Sequence, residues 1–376
     1  MLRQAQHERL SLPVTLSLSK GDHALLRELT RAGKIAGANG EVREEMRYPL
    51  HVTTDMIKWQ VKNKLQGRKR YPVVLMLEPL YTCNLACVGC TPERHTGDLK
   101  DRLSLDQCLQ AVDEAGAPVV SICGGEPTIY PELPELVDGT IARKRHVILC
   151  TNGILLERFF QKTRSHERLT LNVHLDGMRE THDFVCARDG VFDKAIEMIQ
   201  LGKKLGYTVC TNTTIFRETN MDEIEEMFEL LTTLGIDNML VSPGYHYEAI
   251  QENHFLFRQE IHQKFKKVLA LEKKYRFGST PLFLEFAAGE RDYPCTPWGN
   301  VTRTPFGWKG PCYLIGEKYF KTWEEFWNGV DWEYWEKRED PRCHNCLMHS
   351  GFEASVARTF PESTKDMWTM ARWMFS

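Results

Sequence analysis

The sequence predicts an α/β fold: a partial (β/α)6 TIM-like barrel followed by a C-terminal domain. Six apolar runs of strand length alternate with helical patterns between residues 73 and 242. Such alternation is typical of a parallel sheet joined by right-handed crossovers. Residues after about 250 lack this alternation and are rich in aromatic side chains and cysteine. We expect the aromatic residues either to line an apolar pocket or to form core.

The composition of the 376-residue chain is that of an ordinary globular protein, with 42% hydrophobic residues and a formal net charge of -3. No long basic stripe is present, so we expect no nucleic-acid partner. No apolar run reaches the roughly 18–20 residues that a spanning helix needs, and the N-terminus carries no apolar signal region. We therefore expect a cytoplasmic protein.

The chain before the first strand divides into two parts. Residues 1–45 have little apolar periodicity, and we expect a disordered extension without function. Asp55–Leu65 has apolar residues at i, i+4 and i+8, namely Ile57, Val61 and Leu65, which predicts an amphipathic helix. Together with the basic Arg68-Lys69-Arg70, this helix could make a peripheral contact with anionic lipid at the inner face of the membrane. The favoured interpretation is that it covers the bottom of the barrel.

The predicted strands are largely apolar, as expected for strands covered on both faces. They run over Val73–Glu78, Pro118–Cys123, His146–Thr151, Leu169–Asp176, Thr208–Ile215 and Met239–Ser242. The predicted helices between them include Ser104–Ala115, Phe192–Leu205 and Asp222–Leu234. Ser104 and Gln107 form a capping box at the start of the first of these helices.

Side chains capable of chemistry follow the predicted strands. In a βα-barrel, residues at the carboxyl ends of strands line the active face. The positions in this chain are Cys83, Cys87 and Cys90, then Gly124-Gly125-Glu126-Pro127, Cys150-Thr151-Asn152, His174, Asn212 and Ser242. The order of these residues along the chain predicts one site at one edge of the sheet.

The first of these groups is a C-x3-C-x2-C array formed by Cys83, Cys87 and Cys90. Without a secretory signal, clustered cysteines favour metal binding over disulfides. A structural zinc site would need a fourth ligand. A [4Fe–4S] cluster held by three cysteines instead keeps one iron free for a ligand that is not protein.

This array after the first strand, with Gly124-Gly-Glu-Pro127 after the second, resembles the radical S-adenosylmethionine (SAM) superfamily. The resemblance implies a [4Fe–4S] cluster on the three cysteines and SAM at Gly124, Gly125, Glu126 and Pro127. Glycines allow close backbone approach, and Glu126 can help to hold an ammonium group. The resemblance also implies an external one-electron reductant such as flavodoxin or ferredoxin. The candidates to hold the rest of SAM, or to be structural residues of the barrel rim, are Asn152, His174, Asn212 and Ser242.

A closer resemblance, over residues 50–358, is to the adenosylhopene transferase family of hopanoid biosynthesis. It rests on residues 69–81, Val241–Glu248, Cys295–Trp298 and Phe306–Leu314. It implies that the 5′-deoxyadenosyl radical adds to a diploptene-like alkene, an apolar terpenoid. The resulting carbon radical needs a hydrogen donor. Cys150 is the candidate and Cys123 the alternative, unless these cysteines are only small buried hydrophobes.

The chain departs from that family at two places. Thr91–Arg94 follows Cys90 where the family has Gly-Lys, and Ser350 replaces a third C-terminal cysteine. An auxiliary metal, iron or zinc, at Cys295, Cys312, Cys343 and Cys346 is therefore an open question, the alternative being buried thiols.

The departures also keep two other functions open. One is a radical SAM enzyme of different output, such as hydrogen abstraction from a peptide or small molecule. The other is a zinc-knuckle binding protein without catalysis. For the domains, we predict a barrel over residues 46–248, a C-terminal domain over 249–358 and a tail over 359–376.

Overall fold

The computed structural model describes residues 50–90, 97–244, 254–359 and 363–374. Three sequence predictions fall outside these ranges: the extension over residues 1–45, the departure at Thr91–Arg94, and the domain boundary at residues 248 and 249. The predicted tail includes a helix, Thr364–Met374, which buries Met370 and Trp373.

The strands form one sheet in the order β6-β5-β4-β3-β2-β1-β7-β8-β9. Strands β1 to β6 are parallel, β7 lies parallel to β1 on its other side, and β8 and β9 are antiparallel. The strands are β1 Val74–Leu77, β2 Val119–Ile122, β3 His146–Thr151, β4 Leu169–His174, β5 Thr208–Ile215, β6 Asn238–Pro243, β7 Asn300–Thr304, β8 Gly307–Pro311 and β9 Gly316–Phe320.

The six-stranded parallel α/β core is as predicted, with strand ends within about two residues of the expected positions. The C-terminal region adds three strands that the sequence did not indicate. Strand β8, Gly-Trp-Lys-Gly-Pro, contains two glycines and a proline, which are depleted in strands. Its strand conformation depends on pairing with β7 and β9 on either side.

Helices follow most of the parallel strands. The predicted capping box is confirmed, because Ser104 Oγ accepts from Gln107 N at 3.2 Å and Gln107 Oε1 accepts from Ser104 N at 2.9 Å. The helices are α1 Leu50–Leu65, α2 Leu105–Ala115, α3 Leu133–Ala142, α4 Leu156–Phe160, α5 Arg179–Val185, α6 Val191–Lys204, α7 Met221–Thr233, α8 Arg258–Ala270, α9 Pro281–Ala287, α10 Trp323–Gly329, α11 Trp332–Glu336, α12 His349–Thr359 and α13 Thr364–Met374.

The two faces of the parallel sheet differ in character. One face is buried and mainly apolar, with Leu75, Leu149 and Val209 at 0% exposure. Because side chains alternate along a strand, Cys150 and Asn172 lie together on the other, inner face. By the same register His174 pairs with Asn212, and Thr214 with Ser242. The inner face therefore carries the polar residues that the sequence placed at strand ends.

The aromatic residues of the C-terminal region are mainly core. Trp298, Trp308, Phe326 and Phe352 are almost completely buried, and they belong to the same hydrophobic cluster as the barrel strands. The rings of Trp308 and Phe326 stack with centroids 5.8 Å apart. The core interpretation of these aromatic side chains is confirmed.

Helix α1 does not use its apolar stripe to cover the barrel. Ile57, Val61 and Leu65 are 50%, 49% and 83% exposed. The helix instead buries Asn63, and the Trp59 indole donates to Pro72 O at 2.9 Å. The helix itself does pack at the bottom of the barrel, since Asp55 Oδ2 lies 3.1 Å from His146 Nε2 at the start of β3. It turns a different face from the apolar stripe toward the barrel.

Candidate active site

The Gly-Gly turn after β2 packs against the backbone that leads into the cysteine array. Gly125 N donates to Leu80 O at 3.0 Å, and Glu126 N donates to Thr82 O at 2.9 Å. A Cβ atom at Gly124 would lie 2.6 Å from Leu80 O, and one at Gly125 would lie 2.2 Å from Thr82 O. Gly124 and Gly125 are thus required because the turn lies close to the backbone of Leu80 and Thr82. Their close approach to a cofactor is a separate expectation.

Glu126 links this turn to the end of β3. Its carboxylate, 2% exposed, accepts hydrogen bonds from Thr128 N at 3.0 Å, Thr128 Oγ1 at 2.6 Å, Thr151 Oγ1 at 2.7 Å and Asn152 N at 2.9 Å. Burial raises the pKa of this carboxyl group, while the four donors oppose that rise. In this arrangement Glu126 is a positioning residue that holds two strand ends together.

Asn152 anchors the cysteine loop from the other side. Its Nδ2 donates to Asn84 Oδ1 at 2.7 Å, and its Oδ1 accepts from Ile154 N at 3.0 Å. The loop is also held by Val88 N, which donates to Val185 O at 2.8 Å. The predicted residues of the Gly-Gly-Glu-Pro turn and Asn152 thus surround the cysteine loop.

The three cysteines of the array are partly buried and electrostatically close. Burial raises the pKa of Cys83 to about 12, and the charges of Glu126, Cys87 and Cys90 contribute to that rise. A cationic metal cluster would relieve this crowding of negative groups, which supports thiolate ligation. The donor set of three thiols on one loop fits a [4Fe–4S] cluster with one iron left open.

The predicted residue His174 belongs to a polar chain behind Cys87 whose other members were missed by sequence reasoning. These members are Asp176, His182 and Cys186. His174 Nε2 lies 2.6 Å from Asp176 Oδ2, and this ion pair raises the pKa of His174 to about 9 despite burial. Asp176 N donates to His182 Nδ1 at 3.2 Å, so the His182 proton resides on Nε2, 3.5 Å from Cys186 Sγ.

Cys186 completes this chain. A side-chain hydrogen bond from Cys186 lowers the pKa of Cys87 to about 7. Cys186 is fully buried and follows helix α5, one helical turn after His182. The four-residue spacing of His182 and Cys186 after the fourth strand was the signal that could have revealed the pair.

His174, His182 and Cys186 have ligand atoms within 4.8 Å of one another, the one such set of three in the part of the chain that the structure describes. In this set the Nε2 of His174 also lies 2.6 Å from Asp176 Oδ2, so that ring nitrogen already has a carboxylate partner.

The candidate hydrogen donor Cys150 lies on the inner face, between the neighbouring strands. Its Sγ is 3.5 Å from Ser121 Oγ on β2 and 3.7 Å from Asn172 Nδ2 on β4. Burial raises the pKa of this thiol, which keeps it protonated near neutral pH. The alternative, Cys123, is buried directly after β2.

The remaining predicted residues, Asn212 and Ser242, lie partly buried on the inner faces of β5 and β6. Asn212 is beside His174 in the register, whereas Ser242 is beside Thr214. The structure therefore brings both toward the same interior as Cys150.

The four C-terminal cysteines converge on a second location. Cys295, Cys312, Cys343 and Cys346 line one cavity of about 250 Å³. Burial raises the pKa of Cys295, and the charges of the other three cysteines raise it further. Residue 350, which is serine where the resembling family has a third cysteine, has a side chain outside the described set.

Two family models match adjacent stretches of the chain. Residues 77–231 match the radical SAM superfamily. Through these residues, the chain belongs to the radical SAM superfamily. The radical SAM domain takes a [4Fe–4S] cluster and SAM as its cofactors. Residues 239–370 match a domain of unknown function, DUF3463.

The chain is similar in part to several curated proteins. The chain is 31% identical over 171 residues to Fe-coproporphyrin III synthase of Methanosarcina barkeri (strain Fusaro / DSM 804), covering 44% of this chain and 43% of that protein. It is 27% identical over 251 residues to GTP 3′,8-cyclase of Clostridium perfringens (strain 13 / Type A), covering 61% and 77%. The first of these matches thus spans less than half of the relative's length.

Among solved structures, the radical SAM chain is similar to SuiB of Streptococcus suis bound to S-adenosylmethionine. The TM-score is 0.56 at 15% identity, covering 92% of this chain and 85% of that one. This likeness shows the fold. Within the ranges that the structure describes, no helix combines the length and apolar character that crossing a membrane requires.

Proposed function

We propose that this radical SAM protein transfers the 5′-deoxyadenosyl group of SAM to a hopene-type, diploptene-like alkene. The bound cluster and SAM supply a 5′-deoxyadenosyl radical by one-electron reductive cleavage. An external reductant such as flavodoxin or ferredoxin provides the electron. The resemblance of Cys295–Trp298 and Phe306–Leu314 to adenosylhopene transferases supports this choice of acceptor.

The observation that carries the proposal is the position of the Cys150 thiol on the inner face, 3.5 Å from Ser121 Oγ and 3.7 Å from Asn172 Nδ2. Addition of a carbon radical to an alkene forms one C–C bond, removes the π bond and leaves an unpaired electron on carbon. The Cys150 S–H can donate a hydrogen atom to that carbon, leaving a sulfur radical. One electron from the external reductant and one proton then restore the thiol.

Neighbouring residues suit Cys150 to this role. Because burial raises its pKa, the sulfur keeps the hydrogen that it must give. Ser121 and Asn172 hold the sulfur at 3.5 and 3.7 Å from opposite sides. A hydrogen donor on the inner face also lies on the side of the sheet that carries His174 and Asn212.

The test is anaerobic incubation of the reconstituted protein with SAM, reductant and diploptene, followed by mass spectrometry. We expect a product that contains both the triterpene and adenosine. Cys150→Ala should lose this product while still cleaving SAM, and Cys123→Ala should retain it. Normal product formation by Cys150→Ala would refute the role of that thiol.

A second function is favoured by the polarity of the inner face. Asn172, Asn238 and Ser121 are buried there, and Asn172 Oδ1 has no hydrogen-bond partner in the structure. An unpaired amide oxygen suits a polar substrate better than a triterpene. The alternative is therefore a radical SAM enzyme that abstracts hydrogen from a peptide or small molecule. Free 5′-deoxyadenosine, with the adenosyl group absent from the product, would favour it.

The exposed stripe of α1 supports a peripheral membrane contact for an apolar acceptor. Ile57, Val61 and Leu65 are flanked by the exposed Lys58 and Lys62. Apolar residues bordered by lysines are typical of helices that lie on anionic bilayers. Co-sedimentation with phosphatidylserine vesicles should be stronger than with phosphatidylcholine vesicles, and Leu65→Ser should weaken it. Equal binding to both vesicle types would contradict this contact.

A further inference from the structure

The cavity of the four C-terminal cysteines is assembled from three separate segments. Cys295 precedes β7, Cys312 follows β8, and Cys343 and Cys346 lie just before α12. These segments meet at one space of about 250 Å³. Four thiols that are distant in sequence and converge on one cavity are the usual ligand set of a metal centre.

We propose that Cys295, Cys312, Cys343 and Cys346 bind a second iron–sulfur cluster of the [4Fe–4S] class. Its four irons would each take one thiolate, so that no iron is open to SAM or substrate. This cluster is distinct from the one at Cys83, Cys87 and Cys90. Its closed coordination makes it a structural or electron-carrying centre.

The spacing of the sulfur atoms distinguishes iron–sulfur from zinc. Tetrahedral zinc with Zn–S bonds of about 2.3 Å holds its sulfurs within about 4 Å of one another. Among the described residues, no three cysteine sulfurs lie within 4.8 Å of one another. The sulfurs are therefore not gathered as closely as a bound zinc ion would hold them, and this arrangement is compatible with a cluster that carries its own inorganic sulfides.

A second observation at the same cavity is an amide without a partner. Asn300 lines the cavity at the start of β7 and is only 2% exposed. Neither its Nδ2 nor its Oδ1 has a hydrogen-bond partner in the structure. Leaving such a group buried without a partner is unfavourable. The Nδ2 hydrogens would be satisfied by the sulfurs of a bound cluster.

Two arginines and one glutamate, Glu317, lie beside the four thiols of the cavity. Arg338 and Arg342 both line the cavity. Arg338 also pairs with Asp292 at 2.8 Å, and Arg342 pairs with Asp340 at 2.7 Å. Arg342 pairs with Glu317 as well, so these carboxylates already balance the charge of the guanidinium groups. The ion pairs hold the planar guanidinium groups in place, and their remaining N–H groups could donate to a bound cluster at little further entropic cost.

The strand register separates this centre from the SAM site. Asn300 pairs with Val74 at the start of β1, whereas the Cys83 loop follows the other end of that strand. Along the strand direction, Asn300 and the Cys83 loop are therefore separated by the length of β1, about 10 Å. The second cluster is at the amino end of β7, away from the carboxyl ends that line the active face.

The decisive experiment counts iron in a variant that lacks the first cluster. A Cys83→Ala, Cys87→Ala, Cys90→Ala triple variant would be reconstituted anaerobically with iron and sulfide. We expect about four irons and about four sulfides per chain to remain. No bound iron would overturn the proposal, and so would one stoichiometric zinc without sulfide in protein purified before reconstitution.

The complementary variant removes only the second cluster. Cys343→Ala with Cys346→Ala should lower the iron of the reconstituted protein from about eight to about four per chain. Cys108→Ala, which removes a buried thiol outside both sets, is the matched control and should leave the count unchanged. If the double variant fails to fold, the count in the triple variant still decides. An unchanged count in a folded double variant would overturn the assignment.

The reduction potential of the second cluster tests whether Asn300 contacts it, because a purely structural role of Asn300 would leave that potential unchanged. Asn300→Leu keeps the side-chain volume but removes the Nδ2 donors. Asn300→Leu is introduced into the triple cysteine variant, which retains only the second cluster. We expect its iron content to stay the same and the reduction potential of this cluster to fall, because hydrogen bonds to sulfur raise that potential. An unchanged potential would contradict contact between Asn300 and the cluster. These measurements need neither SAM nor an alkene, so they are independent of the proposed reaction.

Discussion

Gly125→Ala tests whether the turn after β2 positions the cysteine loop. A Cβ atom at residue 125 would lie 2.2 Å from Thr82 O, 2.7 Å from the Thr82 carbonyl carbon and 2.8 Å from that of Tyr81. All three are backbone atoms, so no side-chain rotation can relieve the contacts. The turn and the Tyr81–Thr82 backbone must separate until the closest contact reaches at least 3.0 Å. Cys83 is the next residue and would move with them.

Two consequences follow for the variant. Overpacking of this kind costs about 1–3 kcal/mol of folding free energy. A displacement of about 1 Å at the cluster ligand would lower turnover on the order of 100-fold. We therefore expect a folded protein with a lower Tm whose rate of SAM cleavage falls on the order of 100-fold.

The assay measures 5′-deoxyadenosyl products and methionine under anaerobic, reducing conditions, together with iron content and thermal unfolding. Gly235→Ala is the matched control, because its left-handed backbone (φ +71°) costs about 1–2 kcal/mol with no atom within 4 Å of the new Cβ. The control should lose stability but keep SAM cleavage. A Gly125→Ala protein with normal turnover and iron content would refute the reasoning, and so would a Gly235→Ala protein that loses as much activity.

Two further predictions concern a cluster ligand and a buried carboxylate. Cys186→Ala removes the hydrogen bond to Cys87. Since one such hydrogen bond contributes about 1 kcal/mol, its loss should lower the reduction potential of the cluster at the Cys83 loop by about 40 mV for a one-electron couple. A redox titration monitored by EPR measures this potential, and an unchanged value would contradict the prediction. Arg342 lowers the pKa of Asp340 to about 2, from 3.8, so this stabilisation is complete above about pH 4 and lost as the pH falls through 2. Asp340→Asn should lower the free energy of unfolding at pH 7 by about 2 kcal/mol. In the variant, the urea midpoint should also change less between pH 4 and pH 2 than in the original protein. If the urea midpoints of the two proteins change in parallel over this pH range, the reasoning is refuted.

The sequence predicted the parallel core because each strand is a local apolar run that neighbouring helices cover. It also predicted the cysteine array and the Gly-Gly-Glu-Pro turn, since both motifs are contiguous. It could not predict that Glu126 would bond to Thr151 and Asn152, because that contact joins the ends of β2 and β3. Nor could periodicity show that the Ile57–Leu65 stripe faces outward, since an apolar stripe does not specify what covers it.

By itself, therefore, the sequence determined the fold class, the candidate ligands of the first cluster and the order of polar residues along the strands. These features are encoded in local spacing and in the period of apolar residues. Tertiary structure alone decided which long-range groups meet: Cys186 behind Cys87, Asn172 beside Cys150, and four distant cysteines around Asn300. The physical reason is that burial and hydrogen bonding depend on strand register and packing, which no single segment contains.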